Sequence, residues 1–258
     1  MKVVILAGGL GTRLAEETDL RPKPMVEIGG KPILWHIMKI FSAQGFNEFI
    51  ICCGYRGYMI KEYFANYYVH ESDVTFDLAN NDVVVHRGKA EKWKVTLVDT
   101  GLNTNTGGRL MSVLPYLEKD QPFFFTYGDG VSDVPLDEVL KSHFSSGKKA
   151  TVTAVTAPHR FGMLKVDPIS NEVSGFQEKP LLRTERINGG FFVLEPSVVD
   201  YVHDPTESFE NKVIPQLVKE GELGAYNHDG FWQPMDTLRD KITLQNMWDA
   251  NAAPWKIW

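Results

Sequence analysis

The chain has 258 residues, 43% of them hydrophobic and 23% charged, a balance that is typical of globular proteins and argues against disorder. Its 27 lysine and arginine residues against 33 aspartate and glutamate residues give a net charge of −6, which disfavours nucleic acid or an anionic membrane as a partner. A small local site for a small anion is compatible with that charge.

The two cysteines, Cys52 and Cys53, are adjacent, so they can build neither a disulfide framework nor a metal knuckle. On a strand their side chains would point to opposite faces, and we expect both to be buried, inert thiols. No apolar stretch approaches the roughly 18–20 residues of a membrane span, and Val3–Ala7 is too short for the core of a signal peptide. We therefore expect a cytoplasmic protein.

Strand and helix patterns alternate along the chain. The apolar runs that predict strands are Lys2–Leu6, Asn47–Cys53, Pro122–Tyr127 and Ala150–Val155. The segments that predict helices are Ile33–Phe41, Tyr58–Tyr68, Leu110–Leu117, Leu136–Ser146 and Thr237–Asp249. Two further segments predict a hairpin, Thr75–Leu78 with Val83–His86, and an antiparallel flap of short strands between Gly162 and Leu194. Because no linker or repeat interrupts the chain, we predict one α/β domain with a Rossmann-like, mixed and mainly parallel sheet, flanked by helices and carrying small β insertions.

A glycine-rich loop follows the first predicted strand. From Leu6 to Leu14 the sequence is Leu-Ala-Gly-Gly-Leu-Gly-Thr-Arg-Leu. It lacks the third glycine of the dinucleotide fingerprint and the Gly-Lys-Ser/Thr of a P-loop. A plain strand-to-loop turn would explain the glycines but not Thr12 and Arg13 beside them. A hydroxyl and a guanidinium next to exposed backbone N–H groups favour a loop that binds a triphosphate.

A lysine between two prolines comes ten residues later, in Arg21-Pro22-Lys23-Pro24. Proline disfavours the helical region at the residue before it, so we expect Lys23 to lie on a stiff, extended segment. A solvated basic turn is the alternative interpretation.

Two aspartates are candidate ligands of Mg²⁺, which prefers hard oxygen ligands. Asp129 lies between Gly128 and Gly130 at the end of a strand of phenylalanines, where a simple Asp-Gly turn is the alternative. Asp236 precedes the predicted helix Thr237–Asp249 and is equally a candidate for its N-cap.

Polar residues in two other segments suit a phosphorylated sugar or an anion. Gln177–Pro180 and Ile187–Gly190 offer a carboxylate, an ammonium and an amide, although a charged turn with a glycine bend would have the same composition. Thr106–Arg109 opens a predicted helix, where backbone N–H groups and an arginine can hold an anion or a base. A plain helix start is the alternative there.

The glycine loop together with Lys23-Pro24-Met25 resembles the signature of the sugar-1-phosphate nucleotidyltransferases. The resemblance implies that Arg13 and Lys23 are catalytic, that Asp129 and Asp236 hold Mg²⁺, and that four residues bind the sugar phosphate: Glu178, Lys179, Asn188 and Gly189. The nucleotide-binding residues that it implies are Leu6, Ala7, Gly8, Gly9, Leu10, Gly11, Thr12, Arg13, Lys23, Thr104, Thr106, Gly108, Arg109 and Gly128.

Within that family, Met25–His36, Trp93–Gly101 and Phe231–Lys241 resemble most the members that join CTP to glucose 1-phosphate. The resemblance implies one nucleotidyltransferase domain over 1–258, with a nucleotide-binding half of about 1–130 and a sugar-binding half of about 131–258, and a homo-oligomer, for which it suggests a hexamer. Leu102–Asn105 and Leu181–Arg186 match no pattern. The alternatives are a uridylyl- or thymidylyltransferase on a hexose 1-phosphate, a metal-dependent glycosyltransferase that uses a nucleotide sugar, and a non-catalytic sensor.

Overall fold

A computed structural model describes residues 1–88, 90–156, 163–167, 170, 172–177 and 186–258. Within these ranges the strands are β1 (Lys2–Leu6), β2 (Glu27–Ile28), β3 (Lys31–Pro32), β4 (Glu48–Cys53), β5 (Ser72–Asp77), β6 (Asp82–Gly88), β7 (Lys94–Asp99), β8 (Phe123–Tyr127), β9 (Gly130–Ser132), β10 (Ala150–Thr156), β11 (Met163–Val166), β12 (Val173–Gln177), β13 (Arg186–Asn188), β14 (Phe192–Leu194), β15 (Leu223–His228) and β16 (Trp232–Pro234). The α-helices are α1 (Ala15–Thr18), α2 (Ile33–Ala43), α3 (Gly57–Ala65), α4 (Tyr67–His70), α5 (Thr106–Val113), α6 (Leu136–Ser146), α7 (Ile214–Lys219) and α8 (Leu238–Asp249).

The central sheet of the described chain has eight strands. Four of them, β8, β1, β4 and β7, are neighbours in that order and run parallel. Strand β14 lies between β8 and β10 and is antiparallel to both, while β15 is parallel to β10. The predicted mixed, mainly parallel sheet is therefore confirmed.

Both faces of the sheet are buried, and the strand residues alternate between them. Ile5 and Cys53 belong to the hydrophobic cluster that α2 covers, whereas Cys52 and Leu6 belong to the cluster beneath α5. The two cysteines are free and point to opposite faces as expected, and burial raises the pKa of both thiols.

Several predicted elements differ in extent from the observed ones. The predicted helix Tyr58–Tyr68 is two helices, α3 and α4, separated at Asn66. The predicted hairpin is confirmed as β5 and β6, although β5 begins earlier, at Ser72, and ends one residue before the predicted Leu78, while β6 extends beyond both predicted ends. Of the predicted flap, β11 and β12 form a two-stranded antiparallel sheet, whereas β13 and β14 join the central sheet. Residues 162, 168–169, 171 and 178–185 of that segment lie outside the described ranges. None of the described helices combines the length and the apolar character needed to cross a membrane.

Candidate active site

A cleft of about 350 Å³ opens at the carboxyl ends of β1 and β8. In open α/β sheets, ligands bind at this end of the strands. The lining residues are Leu6, Ala7, Gly8, Gly9, Gly11, Thr12, Lys23, Pro24, Thr104, Asn105, Thr106, Arg109, Tyr127, Gly128 and Asp129. The cleft therefore brings together the glycine loop, Lys23, the start of α5 and one candidate metal ligand.

The glycine loop follows β1 and is fixed by hydrogen bonds to its carbonyl groups. Gly11 has a φ of +68°, a left-handed conformation that suits glycine, and Thr12–Leu14 then forms one turn of 3₁₀-helix. The hydroxyl of Thr18 donates to the carbonyl of Gly11 at 3.1 Å, and the backbone N–H of Tyr55 donates to that of Gly8 at 3.1 Å. The loop is thereby hydrogen-bonded to the turn after β4, and it lines one side of the cleft.

Arg109 connects three segments of the chain at the cleft through hydrogen bonds. Its guanidinium donates to the carbonyls of Gly8 (3.0 Å), Cys53 (3.3 Å) and Gly101 (3.0 Å) and to the hydroxyl of Thr100. A side chain at Gly8 would displace the Arg109 guanidinium, since a Cβ atom there would lie 2.1 Å from one of its nitrogens. Burial lowers the pKa of Arg109, whose side chain is almost fully enclosed. Arg109 lines the cleft, and much of its hydrogen bonding goes to the main chain.

Lys23 begins a 3₁₀ turn, Lys23–Met25, and the expectation of an extended conformation at Lys23 is wrong. Pro24 occupies the first turn, where its missing N–H costs no helical hydrogen bond. The N–H of Met25 donates to the carbonyl of Pro22 at 2.8 Å, and that of Val26 donates to Lys23 at 3.1 Å. The turn delivers the Lys23 side chain into the floor of the cleft.

The Lys23 ammonium lies between the two candidate metal ligands. It donates to a carboxylate oxygen of Asp129 at 2.6 Å and to one of Asp236 at 2.7 Å. Burial by itself lowers the pKa of Lys23, but the charges and hydrogen bonds of the two carboxylates outweigh burial and raise it above the ordinary value. Lys23 is therefore a charged, buried group that neutralises part of the negative charge of the pair.

A two-stranded ribbon explains how Asp129 meets Asp236. Strands β9 and β16 are antiparallel, with Gly130 opposite Pro234, so the residue before β9 lies beside the residues after β16. The N–H of Met235 donates to the carbonyl of Asp129 at 2.8 Å. The ribbon thus places both carboxylates beside Lys23, and Asp129 also lines the cleft.

The N-cap of α8 is Thr237, which settles one of the alternatives for Asp236. The Thr237 hydroxyl accepts from the N–H of Asp240, and the Asp240 carboxylate accepts in return from the N–H of Thr237, a complete capping box. Asp236 does not cap the helix, and its side chain pairs with Lys23.

The predicted sugar-side residues are described in part. Glu178 and Lys179 lie outside the described residues. Asn188 donates from its amide to the hydroxyl of Tyr127 at 2.9 Å, and the carbonyl of Gly189 accepts from the indole of Trp232 at 2.7 Å. Asn188 is therefore linked to a residue that lines the cleft.

Three predicted nucleotide-binding residues, Leu10, Arg13 and Gly108, are not among the described residues that line the cleft. Leu10 is exposed beside the cleft, and the side chain of Arg13 lies outside the described part of the chain. Gly108 packs α5 against another segment, since a Cβ atom there would lie 2.1 Å from the carbonyl oxygen of Pro205.

No binding role was predicted for Pro24, Asn105 or Tyr127, which also line the cleft. Pro24 and Tyr127 are neighbours of predicted residues, so proximity in the sequence was the available signal. Asn105 is the N-cap of α5, and its side chain accepts from the N–H of Thr106.

This fold, with a glycine loop and a lysine held by two carboxylates at the carboxyl ends of the strands, is that of a nucleotide-using α/β enzyme. The chain belongs to the nucleotidyl transferase family, whose model matches residues 2–251. It is 57% identical to glucose-1-phosphate cytidylyltransferase of Salmonella typhi, over the full length of both chains. It is 42% identical to a protein of Bacillus subtilis (strain 168) named probable glucose-1-phosphate cytidylyltransferase, again over both full lengths. The crystal structure of HddC from Yersinia pseudotuberculosis shares the fold, with a TM-score of 0.70, 24% identity and coverage of 96% of this chain and 99% of that one.

Proposed function

We propose that this chain transfers the cytidylyl group of CTP to α-D-glucose 1-phosphate, giving CDP-glucose and pyrophosphate. The observation that carries the proposal is the Lys23 ammonium, held by Asp129 and Asp236 at the floor of a cleft that the glycine loop lines. The similarity over the full length to a glucose-1-phosphate cytidylyltransferase supports the choice of base and sugar.

The attacking group needs no general base. The second pKa of a sugar phosphate is near 6, as for other phosphate monoesters, so its attacking oxygen is already ionised at neutral pH. In keeping with this, no histidine, serine or cysteine is found among the described residues that line the cleft. The obstacle is the mutual repulsion of two polyanions, which the protein overcomes by positioning them and neutralising charge.

The chain's own cations are assigned to the phosphates. In this proposal the N–H groups of the glycine loop and Arg13 hold the triphosphate, and Lys23 stabilises the charge that develops during in-line attack on the α-phosphorus. Glu178 and Asn188 would bind sugar hydroxyls, next to Gly189, and Lys179 the sugar phosphate.

Asp129 and Asp236 fit a Mg²⁺ site in their chemistry. Mg²⁺ is commonly held by one or two carboxylates together with substrate phosphates rather than by an all-protein cage. In keeping with this, the described residues contain no group of three or more potential ligands. A bound Mg²⁺ would neutralise charge on the reacting phosphates. The Lys23 ammonium contributes further positive charge between the two carboxylates.

Pyrophosphate release tests the proposal. The protein is incubated with Mg²⁺, glucose 1-phosphate and, in separate reactions, CTP, UTP, dTTP, ATP and GTP, with Asp129→Asn as the matched control. We expect release with CTP in large excess over the others, and little release by the variant. Preference for UTP or dTTP would show that the chain is a uridylyl- or thymidylyltransferase instead. No release with any triphosphate, but release of nucleoside diphosphate from CDP-glucose or UDP-glucose, would favour a glycosyltransferase.

We also propose a homo-oligomer, in which the hairpin β5–β6 contacts a second copy. Every residue of β6 is exposed, and so are Phe76 and Leu78 near the hairpin tip. Exposed apolar side chains on a long hairpin favour association. Sedimentation velocity should give an oligomer, with a hexamer as the form that the resemblance suggests, and Val84→Lys should lower the mass. A monomeric wild type would refute the proposed homo-oligomer.

The single-domain arrangement and the cytoplasmic location stay predictions.

A further inference from the structure

Glu210 lies behind the cleft and accepts hydrogen bonds from three hydroxyl groups. One carboxylate oxygen accepts from Tyr127 at 2.8 Å, and the other accepts from Thr106 at 2.6 Å and from Ser208 at 2.8 Å. Glu210 belongs to the single π-helical turn Phe209–Val213, which packs against α5. Among the described residues, no lysine or arginine forms an ion pair with it, so the carboxylate is stabilised by hydrogen bonds from hydroxyl groups.

Two of these three donors line the cleft, and they come from different walls. Thr106 begins α5 on the nucleotide side, and Tyr127 ends β8. The Tyr127 hydroxyl accepts in turn from the amide of Asn188, the residue assigned to sugar hydroxyls. A continuous chain of hydrogen bonds therefore runs from the nucleotide wall through Glu210 to the sugar side.

The carboxylate sets the direction of every hydrogen bond in that chain. Because an ionised carboxylate only accepts, Thr106 and Tyr127 must both donate to it. The Thr106 oxygen is then left to accept from the N–H of Phe209, which lies 2.8 Å away, and the Tyr127 oxygen to accept from Asn188. The side-chain oxygen of Asn188 accepts from the N–H of Gly190 at 2.8 Å, which fixes the orientation of its amide.

We propose that Glu210 is a positioning residue that couples the two walls of the cleft. It holds Thr106 in the orientation that the nucleotide meets and, through Tyr127, holds Asn188 in the orientation that the sugar phosphate meets. The role rests on the proposed function, because it assigns the two walls to the two substrates.

Steady-state kinetics of four variants test the coupling. Thr106→Val should raise the KM for CTP about 5- to 10-fold and leave the KM for glucose 1-phosphate near the wild-type value, since one hydrogen bond to a charged group is lost on one wall. Tyr127→Phe should raise the KM for glucose 1-phosphate about 5- to 10-fold and leave the KM for CTP near the wild-type value. Glu210→Ala should raise both KM values by similar factors, with kcat within about threefold of wild type.

Glu210→Gln separates positioning from a merely structural role. The amide oxygen should stay with its two donors, Thr106 and Ser208, so that the amide nitrogen faces Tyr127 and reverses that hydrogen bond. Glu210→Gln should therefore behave like Tyr127→Phe and raise only the KM for glucose 1-phosphate, about 5- to 10-fold. A residue that only supports the fold would not discriminate between the substrates in this way.

Ser208→Ala is the matched control, because Ser208 donates to the same carboxylate without lining the cleft. Both KM values should stay within about twofold of wild type. Unchanged KM values in Glu210→Gln and Glu210→Ala would overturn the inference, and so would a fall in kcat alone. If Glu210→Ala does not fold, Glu210→Gln and Tyr127→Phe decide by themselves. Wild-type release of pyrophosphate from CTP is measured in the same assay, so failure of the proposed function would be recognised separately.

Discussion

The ammonium of Lys23 and the carboxylate of Asp236 lie 2.7 Å apart, although 213 residues separate them along the chain. The side chain of Lys23 is 10% exposed and that of Asp236 is 16% exposed. In such a shielded pair the charges interact more strongly than at a solvated surface, and removal of one partner leaves a charge without compensation. Because Asp129 shares the same ammonium, a change at any of the three residues alters the charge balance of the cleft.

Lys23→Ala should lower turnover severely, by roughly 10²–10³-fold, the scale that follows the loss of one strong electrostatic contact to a transition state. The measurement is kcat for pyrophosphate release with CTP and glucose 1-phosphate, on protein whose circular dichroism spectrum matches wild type. Lys141→Ala is the control, since Lys141 forms ion pairs only on the exposed face of α6. Near wild-type turnover in folded Lys23→Ala would remove Lys23 from the mechanism.

Lys23→Met should lower the melting temperature in the presence of EDTA, because two neighbouring carboxylates then lose the cation between them. Added Mg²⁺ should raise the melting temperature of this variant more than that of wild type, since a ligand that binds the folded state stabilises it. Differential scanning fluorimetry without substrates measures both shifts. Equal responses of wild type and variant to Mg²⁺ would argue against a metal site at Asp129 and Asp236.

Thr237→Ala should lower the stability of the protein, whereas Asp236→Asn should lower its turnover. Loss of the N-cap should cost about 1 kcal/mol of unfolding free energy in urea. Asp236→Asn leaves the capping box intact and should instead lower kcat, because the cleft loses one of the two carboxylates that contact Lys23. If Thr237→Ala left the free energy of unfolding unchanged, the assignment of the cap to Thr237 would be wrong.

Acid should destabilise the protein through His36, which is fully buried among tryptophans. The indole of Trp255 can only donate, so the ring nitrogen Nδ1 of His36 accepts from it at 3.3 Å and Nε2–H donates to the carbonyl of Ile28 at 2.8 Å. Burial lowers the pKa of this histidine from 6.5 to about 4. Between those pH values the unfolded chain binds a proton that the folded chain refuses, so stability falls as the pH falls.

The expected loss through His36 is about 3 kcal/mol between pH 7 and pH 4. Urea unfolding across this range should show a smaller dependence on pH for His36→Gln than for wild type. Parallel curves for the two proteins would show that His36 does not contribute.

Local patterns in the sequence were sufficient where the structure is set by local burial. Strand β1 and helix α6 have the predicted bounds, because a run of apolar residues between turn signals decides both. Strand β7 was not predicted, since it is an edge strand whose residues are mostly half-exposed and carry a weak apolar signal. Lys23 was assigned the wrong conformation, because the preference of a residue before proline is weaker than the hydrogen bonds that close the turn.

Some residues of the candidate site could likewise be predicted from local sequence patterns, and others could not. The glycine loop, Lys23 and the two aspartates stand in recognisable local contexts, and the structure brings the described ones together. Glu210 has no such context, because its three donors come from three separate segments of the chain. Whether Asp236 caps a helix or meets Lys23 also depended on the pairing of β9 with β16, which the sequence pattern does not contain.

The β9–β16 ribbon has a consequence for how the protein is made. A chain still emerging from the ribosome carries Lys23 and Asp129 long before Pro234 and Asp236 are synthesised. Until β16 pairs with β9, the lysine lacks its second carboxylate, and an unfinished chain cannot complete the charged floor of the cleft. Completion of the charged floor is thereby postponed until β16 and Asp236 have been translated, so a product truncated before β16 would lack the second carboxylate.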